Sequence, residues 1–374
     1  MPRPVTLVFL VDALGWRIAG HFGFGSDLFP VRRELGTVLG YSSAAIPSLL
    51  SGARPVEHGA WAMFKLAGER GRFTGWRWLP PLPHALDWRA RRLVRRWMTR
   101  GSGVGAYYDL YEIPAHLLHR FDLAQTGDPF SPGGLSRETV FDWMRARGVR
   151  YRLWDYRTGE AENFAAAEAA LAGDAQVLFV YTAELDALMH RVGIFDESVG
   201  VRLGRYRVFL EGMARAARAR DVDLSAVLLS DHGMTNVHAT ADPWGGMKAR
   251  GLRLGRDYLA FFDSTMARLW GDEHAASALS ETLAGAGRRL GEDELRALGC
   301  HFPGGEYGNA VFLVDPGVLI VPSFMGSRAI AAMHGYHPDD AFSRGCFMST
   351  AGAGAPESIL GFKEYLQELV GKQR

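Results

Sequence analysis

Four runs of branched and aromatic apolar residues, at 5–11, 177–182, 226–230 and, more weakly, 345–349, have the length of buried strands. Helical spacing lies between several of them. It is clearest over about 201–219, where Leu203, Tyr206, Leu210, Met213 and Ala217 recur at steps of three and four. Strands alternating with helices predict an α/β fold, a mostly parallel central sheet flanked by helices on both faces. The runs also end in a particular way. VTLVFLVD closes on Asp12, and VLFVYTAEL is followed by Asp186 and His190. AVLLS is followed by Asp231 and His232, and His334 opens HGYHPDD. In open parallel sheets the ligand site forms at the carboxyl ends of the strands, so these side chains are the first candidates for chemistry.

Two stretches break the alternation. Residues 63–135 are rich in Trp, Arg, Pro and Tyr, with WRWLPPLPHALDW and YYDLYEIP. Residues 246–325 hold helical segments and then NAVFLVDPGVLIVPS, which predicts a hairpin turning at Asp315-Pro316-Gly317. Both fall between the candidate clusters, where insertions shape pockets. No internal repeat or low-complexity linker appears. A single domain over 1–374 carrying these two insertions is expected.

Composition narrows the partners. The formal net charge is +1 over 374 residues, so the molecule as a whole is not built to bind nucleic acid. Lys occurs only at Lys65, Lys248, Lys363 and Lys372, the other basic positions being Arg, a bias expected of a GC-rich bacterial genome. Two cysteines, Cys300 and Cys346, are too few for a disulfide framework and fit a reducing, cytoplasmic setting. The first apolar run is short, ends on Asp12 and lacks a nearby cleavage site, so it is expected to be a core strand rather than a leader. No stretch approaches the roughly 20 apolar residues of a membrane span. LDWRARRLVRRWMTR places Leu86, Leu93, Trp97 and Ala90 along one helical face with arginines mostly elsewhere. Such a helix commonly packs on its own domain. It can also lie on an anionic membrane.

Each cluster has a bland alternative. Asp12 could cap a helix. Asp186 and His190, four apart, would share a helical face suited to one ion, but such pairs are frequent surface neighbours. Asp231-His232-Gly233 is more specific, because adjacent side chains converge only in a tight loop of the kind glycine permits. His334 has the same character, whereas His337 fits a solvated loop histidine. GYSSAAIPSLLSGARPVEHG places small hydroxyl residues where a helix begins, and free amides and the dipole there favour an anion.

The order Asp, Ser, Asp-x-x-x-His, Asp-His-Gly, His-Gly-Tyr resembles the alkaline phosphatase superfamily, and most closely its type I phosphodiesterase/nucleotide pyrophosphatase branch. The resemblance runs from Asp12 to about Ser349. In that family a nucleophile stands ten residues before the Gly of T-G-x-x-P-x-x-H-G, and counting back from Gly52 reaches Ser42. Here Ser51 replaces the Thr, and the P-N-H after the nucleophile is absent, which leaves Ser43 as the neighbouring alternative. The C/S-x-P-x-R signature of sulfatases is also missing. The resemblance implies one metal on Asp186, His190 and His334, and a second on Asp12, Asp231, His232 and the Ser42 oxygen. Mixed Asp and His ligands suit Zn²⁺, and Mn²⁺ is also compatible. It further implies a small-molecule phosphate ester substrate and a covalent intermediate on Ser42. Hydrolysis of monoesters, phosphoryl transfer to an acceptor other than water, and a metal-binding relative without turnover remain the alternatives. The oligomeric state is not legible.

Overall fold

Strand β1 (Arg3–Val11) is the axis of the fold, buried along all but its first two residues. The computed structural model describes residues 2–101, 111–351 and 354–372. Five more strands complete the central sheet: β2 (Val31–Leu35), β3 (Tyr151–Trp154), β4 (Val177–Thr182), β5 (Val222–Leu229) and β6 (Gly345–Ser349). Their order is β2-β6-β5-β1-β4-β3. Strands β5, β1, β4 and β3 run parallel, while β6 is antiparallel to both of its neighbours. β1 is continuously apolar rather than alternating because both faces of the sheet are covered. Its odd residues Leu7, Phe9 and Val11 pack on the side of helix α3 (Glu197–Ala219), where Tyr206 and Phe209 meet the Phe9 ring edge-on. Its even residues Val8 and Leu10 pack on the opposite side with helix α1 (Ser42–Ser51). Helix α2 (Glu184–Val192) follows β4.

The sheet's two outer strands gave no clear apolar signal. β2 and β3 carry Arg32, Arg33 and Arg152 and are only partly buried, as edge strands are. The stretch 246–325 also differs from expectation. It holds a four-stranded antiparallel sheet of Leu259–Phe262, Met266–Trp270, Ala310–Val314 and Gly287–Arg289, with helices Glu273–Thr282 and Glu292–Ala297 beside it. LAFF and MARL are short and fully buried, and such runs show no periodicity that separates strand from helix. The hairpin expectation is corrected. The chain turns at Asp315, where the Val318 amide donates to the Asp315 carbonyl oxygen, but Val318–Ile320 then leaves to pair in parallel with Ala239–Ala241. Ala310–Val314 pairs instead with Met266–Trp270 and Gly287–Arg289.

Within 63–135, Phe64–Leu66 pairs with Phe121–Leu123, and a helix spans His84–Gly101. Trp76 packs half-buried on the core, while Trp78, Trp88 and Trp97 are exposed. Tyr111 is half-buried against Phe64. Tyr107 and Tyr108 lie outside the described residues.

Candidate active site

Register brings the candidate side chains to one edge. Val11 faces Thr182 on β4 and Leu10 faces Leu229 on β5, so the residues that follow these strands emerge together. The Asp12 amide donates to the Thr182 carbonyl oxygen at 2.9 Å, holding the start of the β1 turn against β4. Asp12 caps no helix, for the short helix Trp16–His21 begins at Gly15. Asp186 and His190 project from successive turns of α2, and His334 follows the short strand Ala332–Met333.

These side chains form two adjoining groups, Asp12–Asp231–His232 and Asp186–His190–His334, in each of which the candidate ligand atoms lie within 4.8 Å of one another. The rings of His232 and His334 stack across the boundary, with centroids 4.0 Å apart. Ser42 is the first residue of α1, at the positive end of the helix. Its Oγ lies 2.9 Å from His232 Nε2 and 3.5 Å from Asp12 Oδ1. Ser43 has a buried Oγ with no hydrogen-bond partner. His337 joins neither group. It lies 3.3 Å from Glu294 and 3.6 Å from Asp339.

Backbone carbonyls fix two imidazoles. His190 Nδ1 lies 2.8 Å from the Ala332 oxygen, and His232 Nδ1 lies 2.9 Å from the Gly233 oxygen. A carbonyl oxygen only accepts, so both Nδ1 atoms carry a proton and both Nε2 atoms face the carboxylates. The tight loop of Asp231-His232-Gly233 needs glycine for space rather than for a left-handed backbone. A Cβ at Gly233 would meet the Phe342 carbonyl oxygen at 2.1 Å.

Electrostatics set the groups apart. Burial, and then the neighbouring Asp231 and Asp186, push the Asp12 carboxyl well above its ordinary range. Burial raises Asp231 likewise, and both of its carboxylate oxygens are buried without a hydrogen-bond partner. Asp186 goes the other way. Burial pushes it up, but the surrounding imidazoles, first of all His190 with its Nε2 3.3 Å away, outweigh this and hold it at about 2. Burial, with His232 beside it, pushes His334 well below the usual imidazole range, so it stays neutral. Buried acceptors with no donor are costly in any fold, and the two groups here are ones that could hold a cation. Asp186 Oδ1 and His334 Nδ1 are also buried without a hydrogen-bond partner. Carboxylate oxygens and imidazole nitrogens in this mixture suit a divalent ion.

Sequence patterning passed over the side chains that hold this arrangement. Tyr181 lies inside an apolar strand, yet its hydroxyl donates to Asp12 Oδ2 at 2.5 Å and leaves Oδ1 for the site. Thr37 donates to the Asp231 carbonyl oxygen at 2.7 Å. Tyr41, immediately before Ser42, lies edge-on to His334, and its hydroxyl is 2.8 Å from Thr265 Oγ. Thr265 in turn donates to Gly335, so helix α1 and the His334 loop share one tie. No periodicity marks such residues. Only the aromatic hydroxyl among apolar neighbours hints at a buried hydrogen bond.

Residues 41–249 match the family model "Type I phosphodiesterase / nucleotide pyrophosphatase". The chain belongs to this family. The type I phosphodiesterase/nucleotide pyrophosphatase family is a branch of the alkaline phosphatase superfamily, and its members are phosphoric ester hydrolases, typically dependent on divalent metals. The matched span includes Ser42, Asp186, His190, Asp231 and His232, while Asp12 and His334 lie outside it. No curated protein sequence matches the chain. Among solved structures, murine ectonucleotide pyrophosphatase/phosphodiesterase 5 is similar at 13% identity with a TM-score of 0.68, over 98% of this chain and 95% of that one. The human counterpart is similar at 11% identity with a TM-score of 0.67, over 99% and 95%. An inactive threonine-to-alanine form of the murine protein, in complex with AMP, matches at 12% identity with a TM-score of 0.67, over 99% and 95%. At these identities the likeness carries the fold, with its central α/β sheet flanked by helices.

Proposed function

We propose that this family member is a phosphodiesterase of the nucleotide pyrophosphatase kind, acting through Ser42 with two divalent cations. Asp186, His190 and His334 would hold one, and Asp12, Asp231, His232 and the Ser42 oxygen the other, with Zn²⁺ preferred over Mn²⁺. The observation that carries this is the pair of buried, partnerless Asp231 oxygens next to a hydroxyl at a helix N-terminus. When bound, cations of this kind lower the pKa of a hydroxyl or water and offset charge on phosphoryl oxygens.

The chain's own residues do the rest. Asp12 Oδ1 and His232 Nε2 orient Ser42 Oγ, and the free amides of the first turn of α1 favour a phosphoryl group beside it. In the first step Ser42 Oγ bonds to phosphorus as the ester oxygen departs. In the second, water displaces Ser42 and restores the hydroxyl. The AMP held by the murine relative, and the loss of a hydroxyl residue in its inactive form, support a nucleotide phosphate ester as the first substrate class to test. A reducing cytoplasm is part of the same proposal, supported by the free, buried thiols of Cys300 and Cys346. A bacterial origin is supported by the preference for Arg over Lys.

The decisive experiment compares wild type, Ser42→Ala and Ser43→Ala on bis-p-nitrophenyl phosphate and p-nitrophenyl phosphate, with metal content measured alongside. Ser42→Ala should lose at least roughly a thousandfold in turnover while keeping its metal. Ser43→Ala should remain active, and the diester should be the better substrate. An active Ser42→Ala with a dead Ser43→Ala moves the nucleophile by one residue. Faster monoester turnover replaces the diesterase with a phosphomonoesterase.

A further inference from the structure

The helix His84–Gly101 presents three faces. One is rooted in the protein: Val94 is fully buried, and Asp87 accepts from the Ala115 amide at 2.8 Å and pairs with Arg91 at 2.9 Å. The second is an apolar row in water. Leu86, Leu93 and Trp97, seven and four positions apart, are 47%, 57% and 42% exposed. The third is basic, with Arg89, Arg92, Arg95 and Arg96 all exposed. Two aromatic rings extend it, each under a guanidinium. Arg92 lies over Trp88 at 5.5 Å, and just upstream Arg77 lies over Trp78, itself 80% exposed, at 4.8 Å. The helix carries six Arg and one Asp, a formal +5 (6 − 1), in a chain whose total is +1.

An exposed row of Leu and Trp costs free energy in water and marks a surface that something covers. Two neighbouring rows, one apolar and one of arginines, match the two layers of an anionic bilayer surface: the acyl boundary and the phosphates above it. A nucleic acid would use the arginines but has nothing for Leu86 and Leu93. A second copy of the chain would cover the leucines but would bring like charges together across a two-fold contact. No helix among the described residues is long and apolar enough to cross a membrane. We propose that the helix His84–Gly101, with Trp78, docks this protein on anionic lipid bilayers. Leu86, Leu93 and Trp97 sit at the headgroup–acyl boundary, and Arg89, Arg92 and Arg96 lie against the phosphates.

The test is co-sedimentation of the full-length protein with phosphatidylglycerol–phosphatidylcholine vesicles and with phosphatidylcholine vesicles, at low and high salt. Wild type should bind the anionic vesicles at low salt, release at high salt and ignore the zwitterionic ones. Each arginine removed should weaken partitioning roughly fivefold. The triple variant Arg89→Gln/Arg92→Gln/Arg96→Gln should therefore lose about a hundredfold. Leu93→Glu/Trp97→Glu should also abolish most binding. All of these positions are exposed and outside the catalytic site, so hydrolysis of soluble bis-p-nitrophenyl phosphate should be unchanged. No binding at low salt, or binding indifferent to both variants, overturns the proposal. So does concentration-dependent self-association that Leu93→Glu/Trp97→Glu removes, which would assign the face to a second copy. Preference for a short DNA duplex over the anionic vesicles would equally assign the arginines to nucleic acid.

Discussion

The two ligand groups share residue types in inverted proportion. Asp12–Asp231–His232 has two carboxylates and one imidazole, and Asp186–His190–His334 has one carboxylate and two imidazoles. Their surroundings are inverted as well. The side chains of the first are 5%, 0% and 3% exposed, and those of the second 19%, 23% and 7%. Burial pushes both carboxyls of the first group up, while Asp186 is held down by its imidazoles. The first group therefore lacks internal charge compensation, which within the proposed function a cation would supply. The second can balance its own charge and stays open to solvent. Within the proposed mechanism, the nucleophile lies beside the more dependent of the two, since Ser42 contacts Asp12 and His232.

The largest effects should come from breaking that dependent group. Asp231→Asn is expected to lose one bound cation and at least roughly a thousandfold in turnover. Its metal-free form should be no less stable than metal-free wild type, because the substitution removes an uncompensated buried charge rather than a packed contact. Metal analysis, turnover and the thermal midpoint of chelated protein measure the three consequences. A large drop in the chelated midpoint would mean that Asp231 is satisfied without a cation, and the contrast between the groups would fail.

A smaller and reversible loss should follow at the second group. His190→Ala removes one of its ligand candidates, and turnover should fall roughly a hundredfold. Because this group is partly open, excess divalent cation in the assay should restore part of the activity. The same excess should do nothing for Asp231→Asn. Equal rescue of both variants would erase the distinction between a closed and an open group.

Smaller again is the contribution of Tyr181, which engages one Asp12 oxygen so that the other faces the site. Tyr181→Phe keeps the ring that stacks on Phe130 and removes only the hydroxyl. Support of this kind for a ligand is worth about tenfold to a hundredfold in metal affinity or activity, and the lower end is expected here. The loss should appear as weaker metal binding in a titration, with turnover at saturating metal close to wild type. A turnover defect that saturating metal does not repair would place Tyr181 in the chemistry instead of behind it.

How much of this was legible in sequence depends on what each residue does. Asp12, Asp231 and His232 stand out because long buried strands end on them, and polar residues at that position have few structural reasons to exist. Asp186 and His190 show through helical spacing after β4. Ser42 does not stand out physically from Ser43, and only the distance to Gly52 in a family motif separates them. Tyr181, Tyr41 and Thr265 are invisible because their partners are 169, 224 and 70 residues away, and hydrogen bonds across such separations leave no local pattern. The sheet's centre is legible for the same reason that its edges are not. β1 is buried on both faces and reads as one apolar run, whereas Arg-bearing β2 and β3 are half in water. The strand Val318–Ile320 shows the remaining limit: a correct turn at Asp315 does not say which partner the next strand takes.

The smallest effect on turnover, and a control on the whole comparison, concerns acid. His58 belongs to the same motif as Ser42 but touches neither ligand group. Its Nδ1 accepts from the Ala60 amide at 3.1 Å, so Nε2 carries the proton and faces Ser48 Oγ at 2.9 Å. Burial lowers its pKa from 6.5 to about 4, and protonation would also force a second proton against the Ala60 amide. Above pH 6.5 folded and unfolded chains both hold this ring neutral, and its full contribution to stability is present. As pH falls from 6.5 towards 4 the unfolded chain takes up the proton first, so stability is lost. The loss between pH 7 and pH 5 is about 2 kcal/mol. Urea unfolding across that range should show this slope in chelated wild type, and His58→Gln should flatten it by about one proton while leaving turnover at pH 7 near wild type. An unchanged slope in His58→Gln would shift the acid sensitivity of the fold to the ligand groups, and their contrast would then have to be measured at a single fixed pH.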